Sequence, residues 1–170
     1  MRWMVCGTVC LLFLLSRVET AMAQRAVFLV RHAEKETDRQ HLDGLSSDDE
    51  IPLTKAGATR AAALAELLKD AGIDAIYTSR ALRTQHTARP LADALNLSAK
   101  PIGSDTIERF GELHRDQIVL VVGHSNTVPE MIDALIGRPS GLVIRDDEFD
   151  ALFILVQKGD GGWSLARARY

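Results

Sequence analysis

Ala26-Val27-Phe28-Leu29-Val30-Arg31-His32-Ala33-Glu34-Lys35 is the stretch that sets the architecture of this chain. The run from Val27 to Val30 is apolar and rich in β-branched and aromatic residues, the pattern of a short buried strand. It ends abruptly at Arg31 and His32, so the strand delivers a guanidinium and an imidazole to its C-terminal end. In open α/β sheets that end of a strand is where ligands bind. Taken alone, the pair reads more simply as a charged surface turn. A second run, Ile118-Val119-Leu120-Val121-Val122-Gly123-His124, changes that reading. Two buried strands that each end in a histidine point to one site built from both.

The chain has 170 residues, 46% hydrophobic and 25% charged, with a formal net charge of -3. That is enough for one globular domain with a core of its own. No basic excess argues for a nucleic-acid partner, and no long charge block argues for a disordered tail. Residues 1–23 stand apart. Arg2 gives a basic end, Met4 to Leu15 form an apolar run of signal-peptide length, and Ala21-Met22-Ala23 supplies the small residues a signal peptidase reads. The run is shorter than the roughly 20 residues of a membrane span, and little hydrophobic sequence precedes Cys10, which speaks against a lipid anchor there. The expected organisation is a leader over 1–23 and one domain over 24–170, periplasmic or secreted, with no membrane span after cleavage. Cys6 and Cys10 both fall in the leader, so the mature chain has no thiol for a disulfide, a metal or a nucleophile. It keeps 18 basic and 22 acidic residues. An anionic substrate must then be drawn in by local arginines, not by the overall field.

Residues 36–50 are polar and acidic and read first as a surface connection, with Asp43-Gly44 a turn signal; placed directly after Arg31 and His32, the loop could also cover the site. Thr54 is the expected N-cap of a helix that runs through an Ala- and Leu-rich stretch to Lys69, with Gly72 beyond its stop. A strand over 73–78 and a helix over 81–95 follow, and Pro90 should kink or interrupt that helix. Arg83 falls in its first turn, where free N–H groups and the positive dipole end favour an anion. His86, on the same helix, reads as a surface or packing histidine. Residues 96–104 read as a connection, and 105–115 as a short helix with Asp105 and Glu108 forming a capping box. After His124 comes a helix over 127–136, capped by Thr127 with Pro129 in its first turn. Two strands, 149–156 and 163–168, form a terminal hairpin.

Leu29-Val30-Arg31-His32-Ala33-Glu34 resembles the Arg-His-Gly/Ala motif that opens the histidine phosphatase superfamily, the group that includes the phosphoglycerate mutases. Tyr77-Thr78-Ser79-Arg80-Ala81-Leu82-Arg83-Thr84-Gln85-His86-Thr87-Ala88 resembles its second motif and Val121-Val122-Gly123-His124-Ser125 its third, in the right order. The resemblance covers about residues 26–156. It implies an α/β three-layer sandwich with a mostly parallel central sheet flanked by helices. It also implies a phosphohistidine route with no metal or cofactor. Arg31 and Arg83 would fork the phosphate oxygens, His124 would hydrogen-bond another, and His32 would attack phosphorus. Arg83, four residues after Ser79, matches the family's phosphate-binding arginine; Arg80 and Arg89 do not. The family often places a glutamate about where Glu108 stands, so Glu108 is at once a candidate general acid and a capping residue. Asp105 and Glu34 are the second and third candidates, and similar phosphohistidine phosphatases act on good leaving groups without a dedicated acid. Ser125 and Asn126 are candidate substrate-binding residues.

Successive side chains of a regular strand point to opposite faces, so Arg31 must reach around or the backbone must bend for it to join His32. Other chemistries fit less well. Gly123-His124-Ser125-Asn126-Thr127 partly matches the Gly-x-Ser-x-Gly elbow of serine hydrolases, but the last glycine is missing and the arginines go unexplained. His32 and His124 are not joined by a metal-ligand spacing. A binding protein that keeps the phosphate pocket is the non-enzyme alternative. A mutase-type phosphotransferase is disfavoured by the short chain and by export away from cytosolic glycolytic intermediates. The expected activity is that of an exported, metal-independent phosphatase of the histidine acid phosphatase type. Its substrate would be a small-molecule or a glycan- or lipid-linked phosphate. The sequence leaves the particular ester and the oligomeric state open.

Overall fold

The computed structural model describes residues 26–103, 110, 114 and 116–170. The leader expected over 1–23 lies outside the described residues, as do Asp105 and Glu108. Six strands form one sheet in the order β3-β2-β4-β1-β5-β6. They are β1 (Ala26–Arg31), β2 (Ala75–Thr78), β3 (Ala99–Pro101), β4 (Ile118–Gly123), β5 (Ala151–Gln157) and β6 (Trp163–Arg169). β1 pairs in parallel with β4, and β2 in parallel with both β4 and β3. β5 runs antiparallel to β1 and to β6. The helices are α1 (Arg39–Leu42), α2 (Lys55–Leu68), α3 (Leu82–Leu95) and α4 (Thr127–Ile136).

The period-two pattern of the strands sorts two cores. Val27 and Leu29 of β1 and Val119 and Val121 of β4 pack with Val128, Met131 and Ile132 of α4. The alternate residues Val30, Leu120 and Val122 pack with Leu64 and Leu68 of α2 and with Ala88 and Leu91 of α3. This is the expected three-layer α/β sandwich with a mostly parallel sheet, buried on both faces. After β1 the chain crosses by α2 to β2, and after β4 it crosses by α4 to β5 on the other side. The neighbouring strands β1 and β4 therefore flank the switch point of the sheet, and its crevice opens at their C-terminal ends.

α2 begins where the sequence places it. Thr54 is its N-cap and its hydroxyl accepts from the Gly57 N–H at 3.0 Å. The same residue ties the helix to the site, because the Thr54 N–H donates to the Glu34 carbonyl at 2.9 Å. Gly57 packs so close to that carbonyl that an added Cβ would lie 2.3 Å from the oxygen. Both groups are main chain, so neither can swing aside. We expect Gly57→Ala to destabilise the fold by about 3 kcal/mol, read as a drop of about 6–12 °C in Tm.

Four local expectations change. Residues 36–50 hold α1 and a 3-10 turn over Asp48–Glu50 instead of a featureless connection. α3 runs through Pro90 without a break; the ring deletes one helical hydrogen bond, and the buried flank of Ala88, Leu91 and Ala92 holds the helix on the sheet. The connection after α3 contains β3, a three-residue edge strand whose exposed side chains and Pro101 leave no hydrophobic signal. At α4 the cap is Asn126, because the Thr127 hydroxyl turns back to accept the His124 N–H at 2.9 Å.

Candidate active site

His32 follows the last residue of β1 and still belongs to the sheet ladder, its N–H donating to the Gly123 carbonyl of β4 at 2.9 Å. The side chain is buried, 4% exposed. Its Nδ1 lies 2.8 Å from the Ala33 carbonyl oxygen. A carbonyl only accepts, so Nδ1 carries the proton and Nε2 is left with a lone pair. Burial is the main cause that lowers its pKa, from 6.5 to about 4, and the charges of Arg31 and Arg83 add to it. At neutral pH this imidazole is uncharged and keeps its Nε2 lone pair, in a pocket it shares with Arg31 and Arg83.

Arg31 keeps the face that strand alternation gives it and reaches the crevice along a ring and a loop. Its guanidinium carbon lies 4.3 Å from the Phe149 ring centroid, a cation–π contact. Its Nη1 donates to the carbonyls of Arg145 (2.8 Å), Asp146 (3.0 Å) and Glu148 (3.4 Å). Buried Glu148 holds that loop by pairing with Arg167 and, at 3.5 Å, with Arg169 of β6. The Nε of Arg31 is buried with no hydrogen-bond partner among the described residues. Nε and Nη2 form one edge of the guanidinium, which is left unanchored while Nη1 is held.

Arg83 is held in a similar way from the other side. Its Nη1 donates to the Asp48 carbonyl at 2.7 Å and its Nη2 meets the Asp48 carboxylate at 2.9 Å. Asp48 thus takes the terminal edge of the guanidinium, and Nε on the lateral edge is again buried with no partner among the described residues. The other oxygen of Asp48 binds Lys35 at 2.9 Å. The segment after β1 therefore reaches the site through Asp48, which the sequence reading favoured less than a simple connection. Below it, Thr87 joins α3 to the segment that follows β1: it accepts the Ala33 N–H at 3.0 Å and donates to the Arg83 carbonyl at 2.7 Å.

His124 stands at the end of β4, its ring centroid 5.3 Å from that of His32 in an edge contact. Its Nε2 lies 3.0 Å from the Ser79 hydroxyl. Thr84 has one proton, which goes to the Ala81 carbonyl at 2.8 Å. The Ser79 proton then fills the 2.9 Å contact to Thr84, and Ser79 accepts from the Ala81 N–H and from His124. The Nε2 of His124 is accordingly protonated. Burial, and next the Arg83 charge, lower its pKa.

These groups line a cleft of about 620 Å³ with Lys35, Thr37, Ser125, Asn126, Asp146 and Phe149. Two buried guanidinium edges, a lone-pair imidazole and a second imidazole converge there, which is the chemistry of a phosphate site. Residues 27–103 match the histidine phosphatase superfamily, branch 1. Over that segment the chain is similar to this superfamily.

Three solved structures share the histidine phosphatase fold with it. The protein histidine phosphatase SixA complexed with tungstate is 22% identical, with a TM-score of 0.67 over 85% of this chain and 96% of the other. The alpha-ribazole phosphatase from Shigella flexneri is 21% identical, with a TM-score of 0.65 over 85% and 96%. The mycobacterial glucosyl-3-phosphoglycerate phosphatase is 14% identical, with a TM-score of 0.62 over 84% and 97%. No curated protein matches the chain by sequence.

Within this histidine phosphatase fold, Arg31, His32, Arg83, His124, Ser125 and Asn126 all border one cleft. Glu34, the third candidate acid, is outside the cleft lining. Its carboxylate is gripped by Arg60, with contacts of 2.6 to 3.0 Å. Burial pushes its pKa up, but the bonds and charge of Arg60 outweigh this and hold it below the usual range. Among the described residues, no hydrogen bond joins the Ser125 hydroxyl to His32 or His124, the two imidazoles that could serve it as a base. The sequence reading assigned no role to Asp48, Ser79, Thr87 or Phe149. Ser79 and Thr87 lie inside the second motif, so the motif itself was the available signal.

Proposed function

We propose that this chain is an exported phosphohydrolase that cleaves phosphomonoesters or phosphoramidates through a phosphohistidine on Nε2 of His32. The observation that carries this reading is the pair of buried arginines whose lateral edges are unpartnered beside a neutral, lone-pair Nε2. In the reaction the Nε2 pair forms the N–P bond as the bond from phosphorus to the leaving atom breaks. Arg31 and Arg83 each fork the non-bridging oxygens, and the Phe149, loop 145–148 and Asp48 contacts keep them from reorganising. A phosphate dianion favours a second proton on His124, which would make it a third cation. The leaving atom takes its proton from Glu108 or Asp105 or, for leaving groups of low pKa, from water. Water then cleaves the N–P bond and returns His32 to the neutral state. No metal or cofactor takes part in this scheme. The leader-like residues 1–23 support a periplasmic or secreted location.

The test is turnover of an aryl phosphate by the purified chain with and without chelator, and by Ser125→Ala. Turnover that survives both is the expected result. Loss on chelation or in Ser125→Ala would transfer the chemistry to a metal or to a serine. A wild type that binds phosphate yet leaves aryl phosphate and phosphoramidate intact would be a binding protein.

The pH dependence follows from the direction of the His32 shift. Its free-enzyme pKa is depressed, so protonation inactivates the nucleophile only in strong acid. We expect the acid limb of kcat/KM for an aryl phosphate to fall at about pH 4, well below the value of an unperturbed histidine. An acid limb centred near 6.5, once substrate ionisation is allowed for, would contradict this assignment.

A further inference from the structure

We infer that the cleft accepts a single phosphate group whose organic part is uncharged or cationic, and that it rejects esters carrying a second anion. This rests on the phosphate-site reading above and follows from where each charge in the cleft is already committed. Three permanent cations line it, Arg31, Arg83 and Lys35. Lys35 is bound to Asp48 at 2.9 Å. The same carboxylate covers the terminal edge of Arg83, also at 2.9 Å. The backbone carbonyls of 145, 146 and 148 occupy Nη1 of Arg31. What remains is two lateral guanidinium edges, and these match the oxygens of one phosphate.

Beyond these three, the cleft has no further permanent cation among the described residues. Thr37, Ser125, Asn126 and Phe149 are uncharged. Asp146 stands at the mouth, exposed, and its carboxylate makes no hydrogen bond or ion pair with the described residues. On the opposite side, Asp48 and Asp49 are near enough to act on His124 through their charge. A carboxylate or second phosphate on the substrate would meet these charges, whereas an ammonium would be drawn to Asp146. Like-charge juxtaposition of this kind selects partners more than it sets absolute affinity. Asp146 and Asp48 are therefore specificity-determining residues, Asp146 at the mouth and Asp48 by keeping Lys35 occupied.

The experiment measures binding of phosphocholine, glycerol 1-phosphate and 3-phosphoglycerate to the full chain by calorimetry, with turnover of each followed in parallel. The esters are cationic, neutral and anionic beyond the phosphate. We expect the first two to bind about tenfold more tightly than 3-phosphoglycerate at low salt, and the gap to shrink at high salt. Asp146→Lys should move the ratio between glycerol 1-phosphate and 3-phosphoglycerate toward the anionic ester by a similar factor, and Asp48→Asn should move it the same way. The ratio, not the absolute affinity, is the readout, so a general loss of folded protein does not mimic the effect. Binding of 3-phosphoglycerate within twofold of glycerol 1-phosphate, or a ratio that Asp146→Lys leaves unchanged, would overturn the proposal. Selective binding without turnover would support the charge selection and count against the phosphatase reading alone.

Discussion

Replacing His32 with alanine should lower kcat for an aryl phosphate by about 10⁴-fold or more, the usual scale when a covalent nucleophile is removed. Nδ1 of the side chain is tied to the Ala33 carbonyl, and Nε2 is free to attack. The main-chain bond from His32 N–H to Gly123, at 2.9 Å, does not depend on the ring. The sheet ladder therefore survives the substitution, and the loss can be read as chemistry. Phosphate binding provides the control, because Arg31 and Arg83 remain: His32→Ala should bind inorganic phosphate within a few-fold of the wild type while its turnover disappears. His124→Ala should keep measurable turnover, since its imidazole supports charge and forms no bond to phosphorus. Equal activity of His32→Ala and wild type would end the phosphohistidine account.

Arg83→Lys and Arg31→Lys should each reduce kcat/KM by about 10²-fold to 10³-fold. Lysine keeps the charge but offers one compact ammonium in place of a rigid fork. At position 83 that ammonium cannot serve both the Asp48 clamp and the phosphate, as the two edges of the guanidinium do. At position 31 it loses the three carbonyls of 145–148 and the stacking on Phe149. The two arginines hold one phosphate, so the double variant should lose less than the product of the single losses. Arg80→Lys and Arg89→Lys, at positions outside the cleft lining, should stay within twofold of wild type. An Arg83→Lys enzyme within threefold of wild type would mean that net charge, not the fork, binds the phosphate.

The sheet was legible because its signal is local. Val27–Val30 and Val119–Val122 alternate between the two cores, and their C-terminal ends carry the histidines. Arg83 was legible through its place in the first turn of α3 and its spacing from Ser79. The supports of the two arginines were not. Asp48 reaches Arg83 from 35 residues away, and the carbonyls of 145–148 reach Arg31 from more than 110. Such contacts are made by backbone groups and loop carboxylates that leave no periodic pattern. Residues 36–50 looked like solvated acidic chain for that reason, although one of its aspartates holds a site arginine. β3 escaped notice because an exposed edge strand with a proline carries neither alternation nor burial. Thr127 shows the limit of capping rules: its hydroxyl is taken by the His124 N–H, and Asn126 holds the cap position without a side-chain bond.

The most direct test of the account is to quench a single turnover with a labelled aryl phosphate and locate the phosphate on the protein. An acid-labile, alkali-stable adduct on Nε2 of His32 is the predicted result. An acid-stable adduct on Ser125, an adduct on Nδ1 of His32, or turnover with no covalent adduct at all would contradict it.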